Sequence, residues 1–190
     1  SSLETAEDVG NKRDVAYSLN NIGQIYLIKG DLDKALGYFI RSLNIAEDIG
    51  NKHVLGNVLN NIGLIYKNQG NYESVLEYYN RSFEVRNKVG DKRGMSVSLS
   101  GIGIIFYDKC DYKKAIDYLD KSHLIQKDIK FGGQLPLWTT AYLFLSFKKI
   151  KKEFKNKEIQ MLIKELEHID FDILYPIYQL LQDTSYLETA

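Results

Sequence analysis

The chain has 190 residues, 44% of them hydrophobic and 26% charged, and its 25 Lys and Arg residues balance 25 Asp and Glu residues. This composition is typical of a soluble globular protein, and a net charge of zero argues against binding to nucleic acid or to a membrane surface. The single cysteine, Cys110, excludes an internal disulfide and a cysteine-based zinc site. It suits a reducing compartment, so we expect a cytoplasmic protein. The most apolar stretch, residues 135–147, is too short to span a bilayer.

The sequence repeats itself with a period of 40 residues, because residues 11–50, 51–90 and 91–130 align with one another without gaps. Residues 1–10 match the last ten residues of such a unit. We therefore expect residues 1–10 to end the second helix of a preceding repeat and the chain to be a segment of a longer protein. A fixed period of this length predicts an array of stacked repeats.

Each unit is predicted to contain two helices. In the first unit, apolar residues recur at three- and four-residue spacing on one face of a helix, and Gly30 and Asp31 then break the pattern. A second amphipathic stretch follows from Leu32 to Ala46. Glycines are predicted to end the second helices, and Asn or Asp residues directly after them to cap the next helix. These residues are Gly10, Gly50, Gly90, Asn11, Asn51 and Asp91.

The register is lost in residues 131–190. Residues 135–150 still predict a first helix with Pro136 in its opening turn, where proline is tolerated. Residues 159–169 predict a second amphipathic helix, and a third is expected to run to about residue 181. Two interpretations of this region remain open, a divergent fourth repeat with part of a fifth and a segment of capping helices.

The sequence offers no pattern of residues that predicts catalysis. Its histidines, His53, His123 and His168, are far apart, and no metalloprotease motif or nucleophile elbow is present. His53 aligns with arginines in the other units, so we expect it to be exposed. His123 aligns with Leu43 and Phe83, so we expect it to pack within the array. We expect no enzyme activity, no metal site and no cofactor.

The aligned units resemble the tetratricopeptide repeat. The first unit carries its signature in order as Leu19, Ile22, Gly23, Tyr26, Gly30, Leu32, Ala35 and Phe39. The 40-residue unit with the sequence L-N-N-I-G is similar to the repeats of kinesin-light-chain and Pins proteins. The resemblance implies an all-α fold, a right-handed superhelical solenoid of antiparallel helix pairs. It also implies that Gly23, Gly63 and Gly103 lie where the two helices of a pair approach each other closely.

The resemblance further implies that the first helices line a concave groove that binds a partner peptide or helix, here one with little net charge. The predicted contact residues are Tyr17, Asn20, Gln24, Asn57, Asn60, Leu64, Ser100, Ile104 and Tyr107. Asparagine amides both donate and accept hydrogen bonds, which suits an extended peptide backbone. The alternative role of asparagines here, and of Asn21 and Asn61 in particular, is to brace adjacent repeats.

Two further expectations concern the partner. The basic positions that grip terminal carboxylates in some members of the family hold Asn20, Ser96 and Ser100 here, so we expect no preference for acidic C-terminal tails. The alternative function is that of a structural spacer or a self-associating sensor segment of a larger signalling protein. A peptide receptor of the bacterial regulator kind would differ from the groove hypothesis only in its ligand.

Overall fold

The computed structural model describes residues 2–132 and 134–150, and side chains within them from residue 8 onward except those of residues 134 and 137. These residues form helices in sequential antiparallel pairs, which confirms the predicted all-α fold. The helices are α1 (Ser2–Ile28), α2 (Leu32–Asp48), α3 (Lys52–Asn68), α4 (Tyr72–Lys88), α5 (Lys92–Asp108), α6 (Tyr112–Asp128) and α7 (Gln134–Lys149). None of them is long and apolar enough to cross a membrane.

The turns between helices follow the predicted chemistry. Gly50 and Gly90 end α2 and α4 with φ values of 65° and 68°, in the left-handed region that glycine adopts without steric cost. The Oδ1 atoms of Asn51 and Asp91 then accept hydrogen bonds from the backbone N–H three residues later, at 3.1 and 2.9 Å. Cys110 stands where glycine occupies the equivalent turns and also has a positive φ, 60°.

The helix break predicted at Gly10 is not present. Helix α1 continues from Ser2 through Gly10 and Asn11 to Ile28, so residues 2–10 extend the first helix of the 11–50 unit. Gly10 does not adopt the positive φ that ends α2 and α4. Glycine permits a left-handed turn but does not impose one, which is why an aligned glycine alone was an insufficient signal.

The chain divides into two compact units, Ser1–Ile102 and a second that begins at Gly103, so that α5 contributes to both. The first unit has a core shared by α1, α2 and α3, in which Phe39, Leu59, Ile62 and Ile65 are fully buried. The paired helices approach closely where the signature glycines lie, because a Cβ on Gly63 would be 2.6 Å from the Tyr79 ring. In the pair α1 and α2, Ser42 Oγ donates to the Ala16 carbonyl at 2.7 Å. In the pair α3 and α4, Ser82 Oγ donates to the Gly56 carbonyl at 2.8 Å.

In the second unit α7 packs against α6. Leu119 and Leu143 lie in their shared core, and Gln126 Nε2 donates to Thr139 Oγ1 at 3.0 Å. Helix α7 is the first helix predicted for the tail, and Pro136 lies in its first turn as expected. The two later helices predicted for the tail lie outside the described residues.

Candidate functional site

A pocket of about 530 Å³ lies in the first unit. Its walls come mainly from the first helices α1, α3 and α5, which is the surface that the sequence resemblance implied for partner binding. The lining residues are mostly polar, and they are Tyr17, Gln24, His53, Asn57, Asn60, Asn61, Arg86, Asp91, Arg93, Gly94 and Val97. We refer to this pocket as the amide groove, after its one glutamine and three asparagines.

The structure places four of the predicted contact residues in the amide groove. Tyr17 and Gln24 come from α1 and Asn57 and Asn60 from α3. Tyr17, Gln24 and Asn57 are exposed, whereas Asn60 is half-buried. Because α1 and α3 are the first helices of successive pairs, residues 40 apart in sequence lie side by side and the amides of both helices reach one surface.

Two predicted contact residues are buried. Asn20 is only 5% exposed, and its Oδ1 accepts a hydrogen bond of 2.8 Å from Asn61 Nδ2. This bond joins α1 to α3, which is the bracing role considered as the alternative for the asparagines. Ser100 is fully buried on α5. Since neither side chain is accessible to a partner, we leave both out of the proposed contact surface.

The remaining predicted contact residues do not line the amide groove. Leu64 is 37% exposed on α3. Ile104 and Tyr107 belong to the second unit, where both are half-buried and pack against the core of α6 and α7. The Tyr107 ring makes an edge contact with Tyr142 at 5.2 Å between ring centroids, and burial raises the pKa of both hydroxyls. Their position favours a packing role.

Sequence reasoning missed one lining residue of the amide groove, Arg86. It comes from the second helix α4, yet it is only 7% exposed and reaches the groove between α3 and α5. Its Nη1 donates to Asp91 Oδ2 at 2.8 Å, its Nη2 to Asn57 Oδ1 at 2.8 Å and its Nε to Ser82 Oγ at 3.1 Å. A buried guanidinium of this kind requires partners for its charge and its donors, and these contacts provide them.

The repeat alignment contains the signal that would have revealed Arg86. The equivalent residue is Ala46 in the preceding unit and Gln126 in the following one. Two glycines accompany the larger side chain: a Cβ on Gly56 would lie 2.9 Å from Arg86 Nε, and one on Gly94 would overlap Nη1. The same positions one unit earlier hold Ala16 and Val54, both buried in the core. From one unit to the next, two small apolar residues thus become glycine while the alanine between them in sequence becomes arginine. This combined change indicates a long side chain that lies between α3 and α5.

The amide groove combines polar, apolar and charged side chains. Its amides supply neutral hydrogen-bond donors and acceptors, Tyr17 and Val97 supply apolar surface, and the Arg86 charge is compensated by Asp91. None of the lining residues is a serine or a cysteine that could act as a nucleophile. Across the part of the chain that the structure describes, no three His, Cys, Asp or Glu side chains are grouped so that they could hold a metal ion.

The comparisons with known proteins agree with this architecture. The sequence profile of the family described as tetratricopeptide repeat matches residues 14–88 and, in a second alignment, residues 54–128. A search of curated proteins found no significant match.

Solved structures with the same fold have little sequence identity to this chain. BtubC (BKLC) from P. vanneervenii superposes with a TM-score of 0.69 at 16% identity, over 82% of this chain and 65% of its own. A signal transduction ATPase with numerous domains (STAND) from Pyrococcus horikoshii, with a tetratricopeptide repeat sensor, gives a TM-score of 0.73 at 21% identity, over 96% of this chain and 28% of its own. The TPR domain of Arabidopsis FLU gives 0.58 at 17% identity, over 62% of this chain and 98% of its own. This chain thus spans less than two thirds of the first two proteins.

Proposed function

This chain belongs to the tetratricopeptide repeat family, and we propose that it is a protein-interaction module whose amide groove binds an extended peptide or a helix of a partner protein. Repeats of this family generally bind proteins and are typically non-catalytic. The observation that carries the proposal is the convergence of Tyr17, Gln24, Asn57 and Asn60 from two successive first helices on one groove. We propose no enzymatic role, no cofactor and no nucleic-acid or membrane ligand.

The physical argument rests on what an extended segment needs from its receptor. A peptide that leaves water must find partners for its backbone N–H and C=O groups whatever its side chains are. The amide groove presents carboxamides on α1 and α3, and each carboxamide offers both donors and an acceptor. An aromatic ring beside such amides adds contact area at little cost in side-chain entropy, and Tyr17 provides one at 38% exposure.

Replacing Tyr17 and Gln24 together by alanine is expected to weaken peptide binding by roughly tenfold or more, because both side chains are exposed groove contacts and neither supports the core. Peptides would be selected from a phage-displayed dodecapeptide library on the wild-type chain, then synthesised and measured by fluorescence anisotropy. The control is Ile40→Ala with Asn80→Ala, which changes two exposed residues of the second helices outside the groove. An equal loss in both double variants, or none in the first, would remove the groove as the site.

A second candidate function is a self-associating sensor segment of a larger signalling protein. The similarity in fold to the repeat sensor of the Pyrococcus ATPase is consistent with it. The specific observation is on α1, where Ile25 is 52% exposed although its equivalents Ile65 and Ile105 are fully buried. Ile28, one turn further on, is 86% exposed. Together Ile25 and Ile28 give α1 an exposed apolar surface that a second copy of the chain would bury on association.

This second candidate predicts a concentration-dependent increase in mass by light scattering that Ile25→Lys with Ile28→Lys abolishes. The lysines place two charges on the surface that would have to be buried, and charges without partners are not buried at an interface. The matched control is Ile40→Lys, since Ile40 is an exposed isoleucine of α2 at 43%. A wild-type chain that stays monomeric at all concentrations would exclude self-association through this surface.

A further inference from the structure

The orientation of one groove amide is fixed by the chain itself. Arg86 Nη2 lies 2.8 Å from Asn57 Oδ1. A guanidinium has only donors, so the atom of Asn57 that faces it must be the carbonyl oxygen, although the two ends of a carboxamide look alike in most structures. The Asn57 acceptor is therefore directed to Arg86. The edge of the amide that is left for the groove is its NH₂ group, which carries donors.

Arg86 is itself held in a way that makes this orientation rigid. Its Nε donates to Ser82 Oγ at 3.1 Å and its Nη1 to Asp91 Oδ2 at 2.8 Å, so the guanidinium is fixed from two further directions. The side chain is enclosed by Gly56 and Gly94, whose missing Cβ atoms leave the space that it occupies. A planar group that is held at three of its nitrogens cannot rotate without breaking several bonds.

The next asparagine on α3, Asn60, is not oriented in the same way. Ser98 Oγ lies 3.1 Å from Asn60 Oδ1, 3.1 Å from Ser82 Oγ and 3.3 Å from Gly94 O, so its single proton has three acceptors within reach. A hydroxyl both donates and accepts, so this contact suits either end of the Asn60 amide. Asn57 and Asn60 are three residues apart on one helix and both line the amide groove, so they are neighbours on its surface. The amide groove thus presents one NH₂ group of fixed orientation, that of Asn57, and a ligand must meet it with an acceptor.

We propose that Arg86 is a positioning residue that fixes Asn57 as a hydrogen-bond donor, and that the amide groove takes a main-chain carbonyl of the partner segment at this point. This inference rests on the proposed function. A neutral carbonyl fits better than an acidic side chain because the charge nearest to Asn57, that of Arg86, is already compensated by Asp91 at 2.8 Å. Asn57 and Asn60 are themselves uncharged.

The substitution that tests the donor role is Asn57→Asp. An aspartate has the same size and still accepts from Arg86, so the fold keeps its contact, but the groove then faces an acceptor oxygen in place of an NH₂ group. With dodecapeptides selected by phage display on the wild-type chain, we expect affinity to fall by roughly tenfold, since two acceptors would oppose each other. Asn80→Asp, an exposed asparagine of α4 outside the groove with the same change of charge, is expected to leave affinity unchanged.

Two further measurements distinguish a main-chain carbonyl from an acidic side chain as the group that Asn57 binds. The loss caused by Asn57→Asp should persist for peptides that contain no Asp or Glu. An ester placed at one backbone position should weaken binding to the wild type by roughly threefold but not to Asn57→Ala, because an ester carbonyl is a poorer acceptor and the alanine variant no longer uses it. An Asn57→Asp effect confined to peptides with acidic residues would overturn the carbonyl assignment in favour of a carboxylate.

The positioning role has a readout that needs no ligand. In Arg86→Gln, which introduces the residue of the following repeat, nitrogen relaxation by NMR should show the order parameter of the Asn57 NH₂ group falling while that of Asn61 is retained. Introducing Arg86→Gln into the wild-type chain should lower the affinity for the peptides several-fold. Introducing it into Asn57→Ala should leave the affinity unchanged. An unchanged Asn57 order parameter would overturn the positioning role. A library that yields no binding peptide would instead contradict the proposed function, so the two failures are distinct.

Discussion

Replacing Arg86 by alanine is expected to lower the free energy of unfolding by about 3 kcal/mol, the size of effect seen when one partner of a buried ion pair is removed. The truncation leaves Asp91 and Asn57 without the donors that they now contact at 2.8 Å. It also leaves empty the space between Gly56 and Gly94. Urea unfolding of the full chain, followed by circular dichroism, measures the loss.

The repeat itself supplies a matched control for this prediction. One unit earlier the same boundary is built from Ala16, Ala46, Asn51 and Val54. The combined variant Gly56→Ala, Arg86→Ala, Asp91→Asn and Gly94→Val reproduces that set, and Asn51 shows that asparagine serves as the helix cap. We expect it to recover at least half of the stability lost in Arg86→Ala because small apolar residues fill the space. A combined variant no more stable than Arg86→Ala would contradict this account of the boundary.

Alkaline pH is expected to destabilise the chain through Tyr79. This ring is 8% exposed and lies against Gly63 and Gly101, where a Cβ on either residue would overlap it. Burial raises the pKa of Tyr79 to about 12 from 10.0. The folded state therefore holds the proton more tightly than the unfolded state, so the contribution is complete below pH 10 and is lost as the pH rises towards 12. The full difference corresponds to about 3 kcal/mol.

Tyr79→Phe isolates this effect from the other tyrosines of the chain. Phe39 occupies the equivalent position one unit earlier, so a phenyl ring is accommodated at this site in the repeat. Between pH 9 and pH 11 the wild type should lose about 1 kcal/mol more than Tyr79→Phe, measured by urea unfolding at each pH. Equal losses in the two proteins would mean that the Tyr79 hydroxyl is as well solvated in the folded state as in the unfolded one.

The sequence by itself determined the helices from α2 to α7 and their pairing, whereas the start of α1 was predicted wrongly because an aligned glycine does not impose a turn. Helical periodicity is a local property, as in residues 32–46, and so are glycine turns and Asx caps such as Gly50 and Asn51. Exact repetition at 40 residues then places equivalent residues of successive first helices side by side. The resemblance to tetratricopeptide repeats, which places the partner groove on the first helices, led to the prediction of Tyr17, Gln24, Asn57 and Asn60 as contact residues, and the structure brings these four to one pocket.

The tertiary structure decided which polar side chains face the amide groove and which face the rest of the protein. Asn20 and Asn60 occupy the same position in the repeat, yet Asn20 bonds to Asn61, a residue 41 positions away, and is buried. Arg86 donates a hydrogen bond to Asn57 although it lies 29 positions away in sequence and on a different helix. Burial and hydrogen-bond partners depend on what the neighbouring repeat places opposite each residue. A periodic pattern specifies the face of a helix, and only the packed neighbours specify what that face meets.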